Sequence, residues 1–148
     1  MSVAAGSVPG MTAQITRQEL QDAIAAAWQQ ETSNDPERWT SENPALGQCA
    51  VTALVVQDFL HGALLRTVVN DVSHYWNELP SGEELDLTRH QFERYEPDGR
   101  EHRERDYVLS FPDTRRRYMR LLELVSKNLE SKRGRRGRVA SSVQFEHS

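Results

Sequence analysis

Three stretches of the chain carry patterned apolar positions, and each implies a different element. Leu20, Ile24 and Trp28 recur at four-residue spacing behind Thr16-Arg17-Gln18-Glu19, which has the form of a capping box. That pattern predicts an amphipathic helix over about 16–30. Residues 50–60 are apolar on nearly every side and end before Gly62, which predicts a buried central helix with that glycine as its stop. The length of the run weighs against a buried strand. Ser110-Phe111-Pro112-Asp113 then opens a last helix reaching about Asn128, with Met119, Leu122 and Val125 on its apolar face.

The intervening segments read as extended chain and turns. Residues 63–69, 73–79 and 84–88 are predicted strands, the last two joined by the turn signal Pro80-Ser81-Gly82 into a hairpin. Residues 91–105 are charged and irregular, with a turn at Pro97-Asp98-Gly99, and 106–109 add another short strand. Ser33-Asn34-Asp35-Pro36 and Asn43-Pro44 make 32–46 a loop, which also carries Trp39. The division that follows is a disordered N-terminus at 1–14, one domain at 15–130 and a basic disordered tail at 131–148. The expected class is α+β, with a central buried helix on a small antiparallel sheet and helices flanking it at both ends.

Composition adds three constraints. A chain of 148 residues suits one domain with one core and one site. Net charge is −4, yet Lys132, Arg133, Arg135, Arg136 and Arg138 carry +5, which leaves −9 on the rest. The body is therefore acidic, and the interrupted basic run reads as a solvated end and not as a nucleic-acid footprint. No apolar run approaches the ~20 residues that span a bilayer, so no membrane partner is expected and the expected location is cytoplasmic. The single cysteine, Cys49, excludes an intrachain disulfide.

Cys49 lies at the start of the central helix, where backbone N–H groups and the helix dipole favour an anion. The same N–H groups suit an oxyanion, with Gln48 as an additional candidate donor. His74 is the candidate base. If the hairpin pivots about Ser81, residue 76 faces 86 and residue 74 faces 88, so His74 and Asp86 share a face as diagonal neighbours, ~7 to 8 Å apart at the backbone. Nucleophile, base and orienter are then all present.

These residues resemble a known set of motifs. Gly47-Gln48-Cys49, His74-Tyr75-Trp76-Asn77-Glu78 and Asp86-Leu87-Thr88 look like the active-site blocks of the transglutaminase-like superfamily, in the same order. The resemblance implies a papain-like core with Cys49 as nucleophile, His74 as base and Asp86 as its partner. Trp76, Asn77 and Thr88 would be supporting residues. Ala50 stands where crosslinking members carry an aromatic residue, which argues against crosslinking. Over more of the chain, Asn43-Pro44-x-x-Gly47-Gln48-Cys49, His74-Tyr75-Trp76-Asn77 and Asp86-Leu87-Thr88-x-x-Gln91-Phe92 are similar to the small bacterial YunG-like proteins. That similarity implies a fold and a site but no substrate.

The expectation is a cysteine-dependent acyl-transfer enzyme acting on an amide or thioester in a peptide or small metabolite, with no cofactor. Its alternative is a binding or regulatory protein on the same scaffold. Zinc on Cys49, His74 and Asp86 is a weaker reading, because no CxxC or HExxH spacing accompanies them. Trp39, Tyr75 and Trp76 either line a cleft beside the thiol or anchor the core. His61, His90, His102 and His147 follow no ligand spacing and read as surface residues. Arg115, Arg116, Arg117 and Arg120 suggest nucleic acid, but Asp113 and Glu123 on the same helix make paired surface charges the simpler account.

Overall fold

Thr16 opens the first helix through a complete capping box: its hydroxyl accepts from the Glu19 N–H and the Glu19 carboxylate accepts from the Thr16 N–H, both at 3.0 Å. The computed structural model describes residues 15–69, 71–91 and 99–146, with side chains as far as 132. The expectations for 1–14, Phe92, most of the 97–99 turn and His147 lie outside these. Helix α1 (Arg17–Ala27) stops short of the expected 30, because Trp28 turns extended and a 3-10 turn follows at Gln30–Thr32.

Helix α2 (Cys49–Leu60) is the predicted central helix, and it is buried on most sides. His61 and Gly62 end it with φ of +68° and +87°. A Cβ at Gly62 would lie 2.2 Å from the Glu78 carbonyl oxygen, so the stop doubles as a close approach to the sheet. One core joins Leu20, Ile24 and Trp28 to Val51, Leu54 and Val55 of α2 and to Leu121, Val125 and Leu129 near the C-terminus.

Strands β1 (Ala63–Val69), β2 (Val72–Glu78), β3 (Glu84–Leu85) and β4 (Glu101–Arg103) form one antiparallel sheet in the order β3-β2-β1-β4. The pairs Asn77↔Leu85 and Glu78↔Glu84 give the hairpin the register expected from a pivot at Ser81. β3 is far shorter than the predicted 84–88. Asp86 and Thr88 therefore lie just past its end, where their side chains bond to neighbours and not to a ladder.

Two predicted elements are corrected. β4 arises inside a stretch read as irregular, and its charges are held by ion pairs from Glu101 to Arg66 at 2.9 Å and to Arg103 at 2.6 Å. The short strand expected at 106–109 is instead helix α3 (Arg105–Leu109). As a strand, Val108 would share a face with Asp106; as a helix, it turns inward alone and is 2% exposed.

The last helix, α4, begins with Pro112 at its first position and runs to Glu146, not to Asn128, so the expected disordered tail continues it. No proline follows Pro112, and Gly134 and Gly137 cost only ~1 kcal/mol each in a helix interior. Its buried face is Tyr118, Leu121, Val125 and Leu129, while the predicted Met119 is 59% exposed. Among the described residues no helix is long and apolar enough to cross a membrane.

Candidate active site

Gly47 sets up the site. Its φ is +74°, and a Cβ there would meet the Ser33 hydroxyl at 2.3 Å and the Asn34 amide oxygen at 2.7 Å. Both of its backbone polar groups are used: the carbonyl accepts from the Asn34 N–H at 2.9 Å and the N–H donates to Gln91 Oε1 at 3.2 Å. This knot of turns delivers the chain into α2 with Cys49 as its first residue. Gly47→Ala is expected to destabilise the protein by about 2 to 5 kcal/mol, combining left-handed strain with overpacking, as measured by urea unfolding.

The first intrahelical bond of α2 runs from the Thr52 N–H to the Gln48 carbonyl at 2.9 Å. The N–H groups of Cys49, Ala50 and Val51 precede it and have no i−4 acceptor within the helix. Donors and the positive end of the helix dipole are thereby gathered at the thiol. Cys49 is 6% exposed, and its Sγ lies 3.7 Å from the Ser73 carbonyl oxygen on β2.

His74 follows on β2 and is fully buried. Its Nε2 is 2.7 Å from Asp86 Oδ2. The other carboxylate oxygen accepts from the Thr88 N–H at 3.2 Å and from the Thr88 hydroxyl at 3.4 Å. Burial pulls the His74 pKa down, but hydrogen bonds to Asp86 and Cys49 and the charges of both outweigh it, and the pKa stands at about 9. With Nε2 committed to Asp86, Nδ1 is the nitrogen left for the thiol. At neutral pH the ring holds its proton and is a cation between two acidic groups.

The structure thus brings Cys49, His74, Asp86 and Thr88 together, and Trp76 stacks on His74 with ring centres 5.7 Å apart and planes 20° from parallel. Two other predicted members do different work. Gln48 is fully buried and its Nε2 donates to the Gln29 carbonyl at 2.9 Å, so the side chain locks the entry loop. Asn77 donates to the Ala53 carbonyl at 2.9 Å and ties β2 to α2. Tyr75 is half-buried against the core, and Trp39 braces the loop through the Pro44 carbonyl at 2.9 Å.

Sequence reading missed Glu84, which accepts the Trp76 indole N–H at 2.9 Å. The hairpin register carried that signal, since it makes residues 84 and 76 diagonal neighbours. It also missed the set of Asp58, Arg105 and Tyr118 at the far end of α2, in which Asp58 and Tyr118 are buried and Arg105 is partly exposed. Gln48 Oε1 and Gln91 Nε2 are buried without a hydrogen-bond partner.

The alternatives fare as follows. Among the described residues no group of three or more His, Cys, Asp and Glu side chains is arranged to hold a metal ion. Three of the arginines singled out on α4 are paired: Arg116 and Arg117 with Asp113, and Arg120 with Glu31 and Glu123.

A family model described as YunG protein matches residues 16–130. A protein of Bacillus subtilis (strain 168), described as uncharacterized protein YunG, is 34% identical over 114 residues, covering 73% of this chain and 90% of that protein. No solved structure matches the chain.

Proposed function

The chain belongs to the YunG family, and from that premise we propose that it is a cysteine-dependent acyl-transfer enzyme on a papain-like, transglutaminase-like scaffold. The observation that carries the reading is the 2.7 Å contact from Asp86 to a fully buried His74 whose other neighbour is the thiol of Cys49. Structural ion pairs rarely need a thiol at a helix start as a third member.

In the proposed reaction the Cys49 thiolate attacks the carbonyl carbon of an amide or thioester. The N–H groups that open α2 receive the oxyanion. The His74 imidazolium gives its proton to the leaving amine or thiol as the C–N or C–S bond breaks, and a thioester to Cys49 remains. Water or an amine then attacks that thioester, His74 takes the proton released, and the thiolate departs. Asp86 holds the ring in one orientation and stabilises its charge. The unpartnered acceptor Gln48 Oε1 and donor Gln91 Nε2 are complementary to the two polar groups of an amide.

Alkylation of Cys49 tests the reading. Wild-type protein is expected to react with iodoacetamide at pH 6 to 7, where an ordinary thiol with pKa about 8.5 is almost wholly protonated. His74→Ala is expected to confine reaction to the ordinary alkaline range. The shape of the profile is the readout, because burial slows the reagent at every pH. A thiol that follows the ordinary profile with and without His74 would overturn the proposal. It would favour the second reading, a binding scaffold without chemistry, to which the near-complete burial of Cys49 and His74 also lends support.

A further inference from the structure

His74 and Trp76 are alternate residues of β2 and point to the same side of the sheet. The indole lies against the imidazole and limits the planes that ring can take. An indole buried to 4% exposure has one polar atom, and its direction fixes which way round the ring lies. That atom donates to Glu84 Oε1 at 2.9 Å. The other oxygen of Glu84 is held by Arg100 Nη1 at 2.6 Å. Arg100 and Glu84 are 55% and 32% exposed at the side chain, so their pairing does little for stability but restricts the carboxylate to one orientation.

We propose that Glu84 is a positioning residue for His74: through the Trp76 indole it sets the plane in which the imidazole meets Asp86 and Cys49. Arg100 is the outer end of the same line and holds Glu84 in place. Glu84 bonds to the Trp76 indole and acts on His74 through it. Without an acceptor the indole is free to turn about its χ2 torsion, which is broad and roughly two-fold, and the face presented to His74 changes with it. Only the link to Cys49 reactivity rests on the acyl-transfer reading; the link to the orientation of His74 stands apart from it.

The test compares Glu84→Ala, Glu84→Gln and Trp76→Phe, singly and as the double variant Glu84→Ala with Trp76→Phe. Glu84→Gln keeps an acceptor for the indole and removes the charge. The first readout is the His74 imidazole by NMR, its ring resonances and titration midpoint. Glu84→Ala is expected to move that midpoint by about half a pH unit or more and to lower Cys49 alkylation at pH 7 on the order of tenfold. Glu84→Gln should stay close to wild type. Trp76→Phe should resemble Glu84→Ala, and the double variant should be no worse than Trp76→Phe, since the proposed route from Glu84 to the ring runs through the indole.

Unchanged His74 resonances in Glu84→Ala would overturn the proposal while leaving the triad intact. Equal effects from Glu84→Gln and Glu84→Ala would overturn it as well, because charge would then be the cause. An altered His74 signal with alkylation insensitive to His74→Ala would keep Glu84 as a positioning residue and remove the enzyme.

Discussion

Replacing Asp58 by alanine is expected to destabilise the fold by about 3 to 5 kcal/mol, read as a lower urea midpoint with an unchanged slope. Asp58 is 8% exposed in the last turn of α2. Its Oδ1 accepts from Arg105 at 2.7 Å and its Oδ2 from the Tyr118 hydroxyl at 2.5 Å. Arg105 also donates to that hydroxyl at 2.7 Å, to Gln57 at 2.9 Å and to the Leu54 carbonyl at 3.3 Å, and stacks over the Tyr118 ring. Removing the carboxylate takes the counter-charge from the guanidinium and the acceptor from the Tyr118 hydroxyl, which meet between α2, α3 and α4. Burial pushes the Asp58 pKa up, and the hydrogen bond from Tyr118 and the charge of Arg105 oppose that rise. Burial and then Asp58 push the Tyr118 hydroxyl above its usual range, so it stays a donor. Tyr118→Phe keeps the ring and leaves Arg105 paired with Asp58, and should cost only about 1 to 2 kcal/mol. Similar losses in the two variants would mean that the Tyr118 hydroxyl bond, and not the pairing of Asp58 with Arg105, carries the effect.

Asp86→Asn is expected to remove the charge of His74 at neutral pH. Burial is the largest influence on that ring and favours the neutral form; Asp86 is the first of the influences opposing it. With the carboxylate gone, the pKa should fall from about 9 towards or below the ordinary 6.5, as followed by NMR titration of the imidazole. Loss of the imidazolium should also remove the alkylation of Cys49 near neutrality.

What the sequence revealed of this fold depended on the range of the interactions involved. Thr16 and Glu19 announce α1 because a capping box is complete within four residues. The apolar run of α2 needs no partner to be recognised, and the Pro80-Ser81-Gly82 turn sets a register that brings Asp86 beneath His74. The errors came where distant groups decide. Arg105 belongs to a helix because Asp58 and Tyr118, 47 and 13 residues away, receive its guanidinium. β4 exists because β1 offers it an edge and Arg66 a counter-charge, neither visible from 101–103 alone. On α4, Val125 was placed on the buried face, but Met119 and Leu122 stand one residue, a rotation of about 100°, from the buried Tyr118 and Leu121, because Tyr118 can point its ring inward and bond its hydroxyl there too. At the site, Cys49, His74 and Asp86 were recognisable by residue type and order. What Gln48 bonds to was not legible, because a buried carboxamide looks the same in sequence whether it meets a ligand or the Gln29 carbonyl.

Helix α2 begins with Cys49 and is gripped at Asp58, nine residues and roughly 13 Å further along its axis. An α-helix resists stretching, so the grip at one end determines how far the other end advances towards β2. A substitution at Asp58 that lets the rod slip by a fraction of an ångström withdraws the sulfur from His74 by the same amount, although the two positions share no neighbour in sequence. A screen for thermal tolerance and a screen for thiol reactivity would accordingly converge on the same few residues, and neither end of the rod is free to drift while the other is kept.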